Sequence, residues 1–230
     1  MRFQDAAPDG RAVVYAAIQA DPLVTRAATV LAGADRATMI LARAVMNGTR
    51  MDPAAWRCMF PSLFAETVPA GTRERAEAIL AVSLEVADRG EEVRSQVRGA
   101  IVEALSALLL ARRGPAFATA IRRERRILFD GVPAEIHPYD VTVELAGRAE
   151  AWDCKWGARG IGADVLHQLD DARRHALEEA ERMTVGLIVF DAERSCRVRL
   201  DRQTAPHAET RLIAIETLAR LAESTAGGGS

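Results

Sequence analysis

Lysine is almost absent from this chain: Lys155 is the one lysine among 30 lysine and arginine residues in 230. The three cysteines lie far apart and form no Cys-x-x-Cys pair, so zinc and iron–sulfur sites are not expected. The four histidines lack metal-ligand spacing, and neither a phosphate-binding P-loop nor a dinucleotide fingerprint occurs. These absences argue against zinc and iron–sulfur enzymes, P-loop enzymes and enzymes with a dinucleotide-binding fingerprint.

Long hydrophobic runs are missing as well. Residues 1–10 are polar and contain no apolar segment of a secretion signal, and the longest apolar run, 104–111, is too short to span a bilayer. An odd number of separated cysteines fits a reducing compartment. We therefore expect a cytoplasmic protein without a membrane partner. The net charge of −2 also argues against a protein that coats nucleic acid by bulk charge.

Helical periodicity dominates the first third of the chain. Apolar residues at spacings of three and four predict helices over 12–20, 23–31, 36–46 and 72–88. No catalytic constellation occurs there, so residues 1–90 are predicted to form a helical region for support, dimerisation or substrate selection. A long helix is predicted over 91–113. Residues 224–230 are predicted to be a flexible tail.

The hydrophobic period changes from 3.6 to two after the long helix. It predicts strands over 127–129, 139–145 and 150–156, a helix over 163–182, strands over 185–190 and 196–200, and a last strand–helix unit over 211–223. Strands 139–145 and 150–156 are predicted to form a hairpin around Ala146-Gly147. This order indicates an α/β domain over 91–223, in which helices flank a mixed β-sheet.

Residues 112–126 form a basic strip with six arginines and a single acid, Glu124. A local strip of this kind can contact phosphates even in a chain that is nearly neutral. A solvated helix face is the alternative interpretation. If the strip binds phosphates, the candidates are the arginines immediately before the first predicted strand: Arg122, Arg123, Arg125 and Arg126.

The single lysine lies in the predicted strand segment WDCKW, residues 152–156. Side chains alternate along a strand, so Asp153 and Lys155 share one face, while the two tryptophans and the cysteine share the other. A tight turn at Ala146-Gly147 would place Asp140 opposite Asp153, with Cβ atoms about 4.5–5.5 Å apart. Two such carboxylates repel each other unless a cation such as Mg²⁺ lies between them. Surface decoration is the alternative, although this chain otherwise uses arginine for that purpose.

A third candidate acid comes from the long helix. Glu103 is the only charged residue in 99–111, and its helical neighbours at spacings of three and four are small. A carboxylate on such a face is expected to be poorly solvated, so it needs a metal ion, a cation or a hydrogen-bond donor. Pairing with an arginine is the alternative to a functional role.

The arrangement of these residues resembles the core of the PD-(D/E)xK nuclease superfamily. Glu103 lies in a helix, Asp140 follows a proline on one strand, and Asp153 precedes Lys155 by two residues on the next strand. A tyrosine separates the proline from Asp140, which departs from the shortest form of the motif. The resemblance extends over about 91–190 and implies a restriction-endonuclease-like fold.

The resemblance also implies the roles of individual residues. Asp140, Asp153 and Glu103 would hold Mg²⁺, or Mn²⁺ in its place. Lys155 would position or activate the attacking water and stabilise charge on the phosphate. Gln168, on the helix after the motif, would be a polar contact to the substrate or to the lysine.

The sequence therefore predicts a divalent-metal-dependent nuclease that hydrolyses phosphodiester bonds, in DNA rather than RNA. A homodimer is compatible with this function, because double-strand cleavage by nucleases with one site usually needs two protomers. Two alternatives stay open at this point. One is a non-catalytic nucleic-acid-binding or assembly subunit that keeps the nuclease fold, and the other is a helical interaction protein with a structural sheet.

Overall fold

The computed structural model describes residues 1–6, 10–133, 137–206 and 208–223, without the side chains of residues 10–12 and 133. The chain divides into two compact units, which we call the helical unit (Asp9–Leu105) and the sheet unit (Met1–Pro8 with Ser106–Ser230). The predicted tail, 224–230, lies outside the described residues. Within the described ranges, no helix has both the length and the apolar composition that crossing a membrane requires.

Six helices and the beginning of a seventh build the helical unit. They are α1 (Gly10–Gln19), α2 (Pro22–Leu31), α3 (Arg36–Asn47), α4 (Pro53–Met59), α5 (Pro61–Phe64), α6 (Ala70–Ala87) and α7 (Glu91–Ala111). The four helices predicted before residue 90 are confirmed as α1, α2, α3 and α6. Helices α4 and α5 are absent from the prediction, because a proline usually interrupts a helix. Pro53 and Pro61 instead occupy the first turns of α4 and α5, where a helix does not use the missing N–H.

Aspartate N-caps begin three of these helices. Asp21, Asp35 and Asp52 each accept a hydrogen bond from a backbone N–H of the first turn, at 2.8–2.9 Å. Such caps satisfy donors that a helix leaves unpaired at its start. Apolar residues of α2, α3 and α6 then form the core of the unit. Fully buried members are Val24, Leu31, Leu41, Val45, Ile79 and Val86.

The sheet unit contains a seven-stranded mixed sheet. Its strands are β1 (Arg2–Asp5), β2 (Ile121–Phe129), β3 (Val132–Pro133), β4 (Tyr139–Leu145), β5 (Arg148–Lys155), β6 (Met183–Val189) and β7 (Arg211–Ile213). The strand order is β1-β2-β4-β5-β6-β7, with β3 paired to β2. Pairs from β1 to β5 are antiparallel, whereas β5–β6 and β6–β7 are parallel.

Helices accompany these strands in the sheet unit. They are α8 (Pro115–Ala120), α9 (Ala163–Glu178), α10 (Glu193–Leu200) and two 3-10 helices, Ala158–Gly160 and Ile215–Ala222. Leu166, Leu169 and Ala172 of α9 pack in one buried cluster with Val185 and Leu187 of β6. The predicted fold class, an α/β domain with a mixed sheet flanked by helices, is confirmed.

Two local predictions were wrong, and strand β1 was missed. The segment 196–200, predicted as a strand, belongs to helix α10; its buried residues Cys196 and Leu200 are four apart, the spacing of one helix face. Strand β2 begins at Ile121, six residues earlier than predicted, so the four candidate arginines lie within a strand and not before it. Strand β1 was not predicted at all, and it pairs with β2. Its four residues carry too little periodicity to be recognised.

A buried polar network joins the sheet to the chain after α7. Arg113 Nη1 lies 2.7 Å from Glu150 Oε1, and both side chains are almost fully buried. Arg148 donates to the same oxygen, and the indole of Trp152 donates to the other at 3.2 Å. Burial lowers the pKa of Arg113, an effect that the charge of Glu150 opposes. The network is therefore built around the Glu150 carboxylate.

Substitution of Glu150 by methionine is expected to lower the free energy of unfolding by about 3–5 kcal/mol, because it leaves Arg113 buried without its counter-charge. Urea unfolding measures this loss. The exposed pair between Glu193 and Arg197 is the control: Glu193→Gln is expected to cost less than about 1 kcal/mol. Equal losses in the two variants would contradict the structural role of Glu150.

Candidate functional site

Lys155 is the last residue of β5. It lies in register with Val189, the last residue of the parallel strand β6, so both strands end at the same edge of the sheet. In open α/β sheets the carboxyl ends of parallel strands are the usual place for ligands. The side chain of Lys155 is about one quarter exposed, at 26%. The lysine therefore lies at an edge where a ligand can reach it.

The loop after β5 is held against the stem of this lysine. A Cβ atom on Gly160 would lie 3.0 Å from Lys155 Cδ, so a larger residue would crowd the lysine. The Asp191 carboxylate, just beyond β6, accepts the backbone N–H groups of Ala158 and Ala192 at 3.0 and 2.8 Å. Asp191 thereby fixes the loop that restricts where the Lys155 side chain can lie.

Asp153 forms an ion pair with Lys155 through Oδ1 and Nζ. The predicted alternation along the strand therefore holds at these two positions. The Asp153 side chain is 9% exposed, so this ion pair is much less hydrated than a surface pair. A carboxylate buried to this degree needs a cation beside it.

Asp140 approaches the same place from β4. The hairpin register is the predicted one, since Leu145 pairs with Arg148 and Val141 pairs with Trp152. The paired residues end at Val141 and Trp152, one position before Asp140 and Asp153. The Asp140 carboxylate accepts the backbone N–H of Cys154 at 2.5 Å. Its oxygens are thus fixed beside the backbone that links Asp153 to Lys155.

The charge state of Lys155 follows from these neighbours. Burial disfavours its ammonium form, but the attraction of Asp153 and of Asp140 outweighs burial and raises the pKa of Lys155 above its ordinary value. The lysine is therefore a cation in the metal-free protein. An ammonium group can stabilise negative charge on the phosphate and can position the attacking water by donating a hydrogen bond, but it cannot act as the base that activates that water.

Glu124 is a residue of this site that the sequence analysis did not include. It lies in β2 between the pairs Arg123–Val141 and Arg125–Tyr139, and so faces Asp140 across the ladder. Carboxylate oxygens of Glu124 and Asp140 lie within 4.8 Å of each other. Its φ of 52° is left-handed, which is uncommon for a residue with a side chain. One feature of the sequence indicated Glu124, which is the single acid in the basic strip.

Glu103 belongs to the helical unit and is 3% exposed. Within that unit the hydroxyl of Tyr15 donates to Oε1, and the amide of Gln19 donates to Oε2 at 2.8 Å. Gly99, one turn earlier on α7, leaves room for the tyrosine, since a Cβ there would lie 3.2 Å from its hydroxyl oxygen. The expected burial and the expected need for donors are both confirmed. Its role as a metal ligand stays a prediction.

The four candidate arginines of β2 differ in their surroundings. Arg125 pairs with Glu144 at 2.8 Å and with Asp5, so its guanidinium is already occupied by two carboxylates. Arg122 is exposed and donates to the backbone carbonyls of Thr119 and Ile121. Arg123 and Arg126 are half-buried. Arg122 is therefore the most accessible of the four.

Gln168 is not a solvent-facing residue. It is 5% exposed, and its side-chain amide bonds to both backbone groups of His137. No residue of the candidate site is among these partners of its side chain. In this structure the side-chain amide of Gln168 bonds to the backbone of His137. The predicted contact from Gln168 to the substrate or to the lysine stays a prediction.

Comparison with known proteins gives no family for this chain. No protein-family model matches it, and no curated protein matches its sequence. Among solved structures it is similar to the protein VC1899 from Vibrio cholerae, with 15% identity and a TM-score of 0.49. The similarity covers 96% of this chain and 56% of the Vibrio protein, so the chain spans a little over half of that protein's length.

Proposed function

We propose that this protein is a divalent-metal-dependent nuclease that hydrolyses phosphodiester bonds, with DNA as the expected substrate. The observation that carries the proposal is the convergence of two carboxylates from adjacent strands on the single lysine of the chain. Asp153 pairs with Lys155, and the Asp140 carboxylate accepts the backbone N–H of Cys154, the residue between them, at 2.5 Å. The pattern is the one that the resemblance to PD-(D/E)xK nucleases implies.

The donor atoms near Lys155 suit a hard divalent cation. Asp140 and Asp153 offer carboxylate oxygens, the ligands that Mg²⁺ and Mn²⁺ prefer. Glu124 adds a third carboxylate, within 4.8 Å of Asp140, and a cation would relieve the repulsion between these two acids. When bound, Mg²⁺ or Mn²⁺ supplies Lewis acidity that activates water and neutralises phosphate charge.

The side chains would divide the remaining work. Lys155 presents a fixed positive charge, which stabilises the negative charge that develops on the phosphate during attack. Because the Asp153–Lys155 pair is largely buried, fewer water molecules screen the charge of Lys155, and its attraction for the phosphate is stronger. The hydrogen bond from Cys154 keeps the Asp140 carboxylate oriented before substrate arrives. Arg122, exposed on β2, is the first choice for a contact to the DNA backbone.

The direct experiment is a cleavage assay with Mg²⁺ and with Mn²⁺ on plasmid DNA, linear single-stranded DNA and RNA. We expect cleavage of DNA with either ion and none when EDTA removes the metal. An enzyme inactive on every substrate with both ions would contradict the proposal. Binding of DNA without cleavage would favour the non-catalytic subunit instead. Glu103→Gln, assayed in parallel, tests the sequence-based prediction that Glu103 is a metal ligand.

The cellular setting is part of the proposal. The three cysteines, all of them described residues, form no disulfide, and two of them, Cys154 and Cys196, are buried, as expected for a protein of the reducing cytoplasm. Cleavage of both strands by an enzyme with one site per chain would require two protomers. Size-exclusion chromatography with light scattering, with and without duplex DNA, measures whether a homodimer forms.

A further inference from the structure

The side-chain amide of Gln168 holds the backbone of His137 at two points. The His137 N–H donates to Gln168 Oε1 at 3.2 Å, and Gln168 Nε2 donates to the His137 carbonyl at 3.0 Å. The ladder between β2 and β4 starts only at Tyr139, so His137 precedes the first paired residue. Gln168 therefore supplies the two hydrogen bonds that a neighbouring strand would otherwise give this segment.

A second contact ties the same two elements together. The hydroxyl of Tyr139, a fully buried residue, donates to the backbone carbonyl of Gln168 at 3.3 Å. Pro138 lies between the two anchored residues, and its ring fixes one backbone dihedral. Asp140 follows immediately. The entry into β4 is thus held from α9 over the residues directly before Asp140.

We propose that Gln168 is a positioning residue, which orients the Asp140 carboxylate by anchoring His137, and not a contact to substrate. The Asp140 carboxylate must lie at one place to accept the N–H of Cys154 at 2.5 Å. A shift of the entry into β4 would move it away from that donor. The consequence for metal binding rests on the proposed function, whereas the consequence for the Cys154 hydrogen bond does not.

The environment of the amide supports this role over contact with substrate. Gln168 is 5% exposed, and both its oxygen and its nitrogen already have partners. A substrate phosphate would have to displace at least the bond from Nε2 to the His137 carbonyl, at the cost in free energy of losing that hydrogen bond. The neighbouring His167 is exposed on the same helix and offers a control position.

The first test uses the metal-free protein and amide hydrogen exchange measured by NMR. In Gln168→Met we expect the amides of His137 and Cys154 to exchange about tenfold faster than in the wild type, because each loses an ordered acceptor. His167→Met is expected to leave both rates unchanged. Unchanged exchange at Cys154, with faster exchange at His137, would overturn the positioning role.

The second test measures Mn²⁺ binding by titration, together with kcat and KM on DNA. Loss of an outer partner typically weakens metal binding by 10–100-fold, and for Gln168→Met we expect a dissociation constant for Mn²⁺ about tenfold higher, with KM unchanged. A higher KM with unchanged Mn²⁺ affinity would identify a substrate contact and overturn the inference. A wild type that binds no Mn²⁺ would contradict the proposed function, while exchange at Cys154 still decides the positioning role.

A second variant covers the case in which Gln168→Met does not fold. Gln168→Glu keeps the volume and the acceptor for the His137 N–H, but it loses the donor to the carbonyl. We expect slow exchange at His137 and faster exchange at Cys154, since one of the two anchors is gone. Wild-type exchange at Cys154 in this variant would overturn the proposal.

Discussion

Lys155→Met is expected to lower kcat for DNA cleavage by about 10²–10³-fold, the usual effect of removing one preorganised group that stabilises transition-state charge. Binding of Mn²⁺ is expected to be at least as tight as in the wild type, because the substitution removes a cation that competes for Asp153. Single-turnover cleavage and Mn²⁺ titration measure the two effects separately. Reduced kcat with retained metal binding would distinguish a charge-stabilising lysine from a structural one.

Two further variants sharpen this experiment. Lys155→Arg keeps the charge but spreads it over a planar group, so we expect it to recover only a small part of the lost rate. Arg159, in the 3-10 helix that follows β5, is an exposed cation close in sequence, and Arg159→Met should cleave DNA at the wild-type rate. Wild-type cleavage by Lys155→Met would remove Lys155 from the mechanism.

The hairpin that carries the site could be predicted from the sequence because its turn determines the pairing. Ala146-Gly147 separates two runs of period two, and Gly147 adopts the left-handed φ of 72° that glycine takes without steric cost. Once Leu145 pairs with Arg148, every other partner follows, including the approach of Asp140 to the strand of Lys155. A local turn therefore specified a contact between residues more than ten positions apart.

Glu124 could not be predicted in the same way. Strand β3 lies between β2 and β4 in the chain, so no two-residue turn fixes the register of that pair. The arginines of β2 also obscure the alternation of apolar and polar residues that usually identifies a strand. Arg125 is retained there by ion pairs with Glu144 and Asp5, contacts that depend on tertiary structure. The left-handed backbone of Glu124 could not be predicted either, because residues other than glycine rarely adopt this conformation.

Gln168 shows a different limit of sequence-based prediction. Its position on the helix after the motif was identified correctly, but position alone does not determine which group a side chain bonds. The amide meets the backbone of His137, and backbone groups are not distinguished by the sequence. The partner is set by the packing of α9 on the sheet, which places Leu166 and Leu169 in the core and turns Gln168 towards the entry of β4.

Asp140→Asn is expected to weaken metal binding strongly and to slow cleavage, since the amide supplies a weaker ligand without charge. With Mn²⁺ at 100-fold over its dissociation constant, binding should add about 2.7 kcal/mol to the free energy of unfolding of the wild type, and the variant should lose most of this gain. Cleavage should fall on the order of 10³-fold, as expected when several kcal/mol of charge stabilisation are lost.

In the metal-free protein, Asp140→Asn is expected to have little effect on the unfolding temperature if the carboxylates are arranged to bind a cation. The side-chain amide introduced by Asp140→Asn keeps an oxygen that can accept the N–H of Cys154, while the repulsion with Glu124 disappears. The variant also loses the attraction between Asp140 and Lys155, and this loss opposes the gain. Without metal, the variant should therefore unfold at a temperature close to that of the wild type. Asp201→Asn, on an exposed residue after α10, is the control and should retain the full stabilisation by Mn²⁺. Retained stabilisation in Asp140→Asn would show that the ion binds elsewhere, because a ligand carboxylate cannot lose its charge without weakening the site.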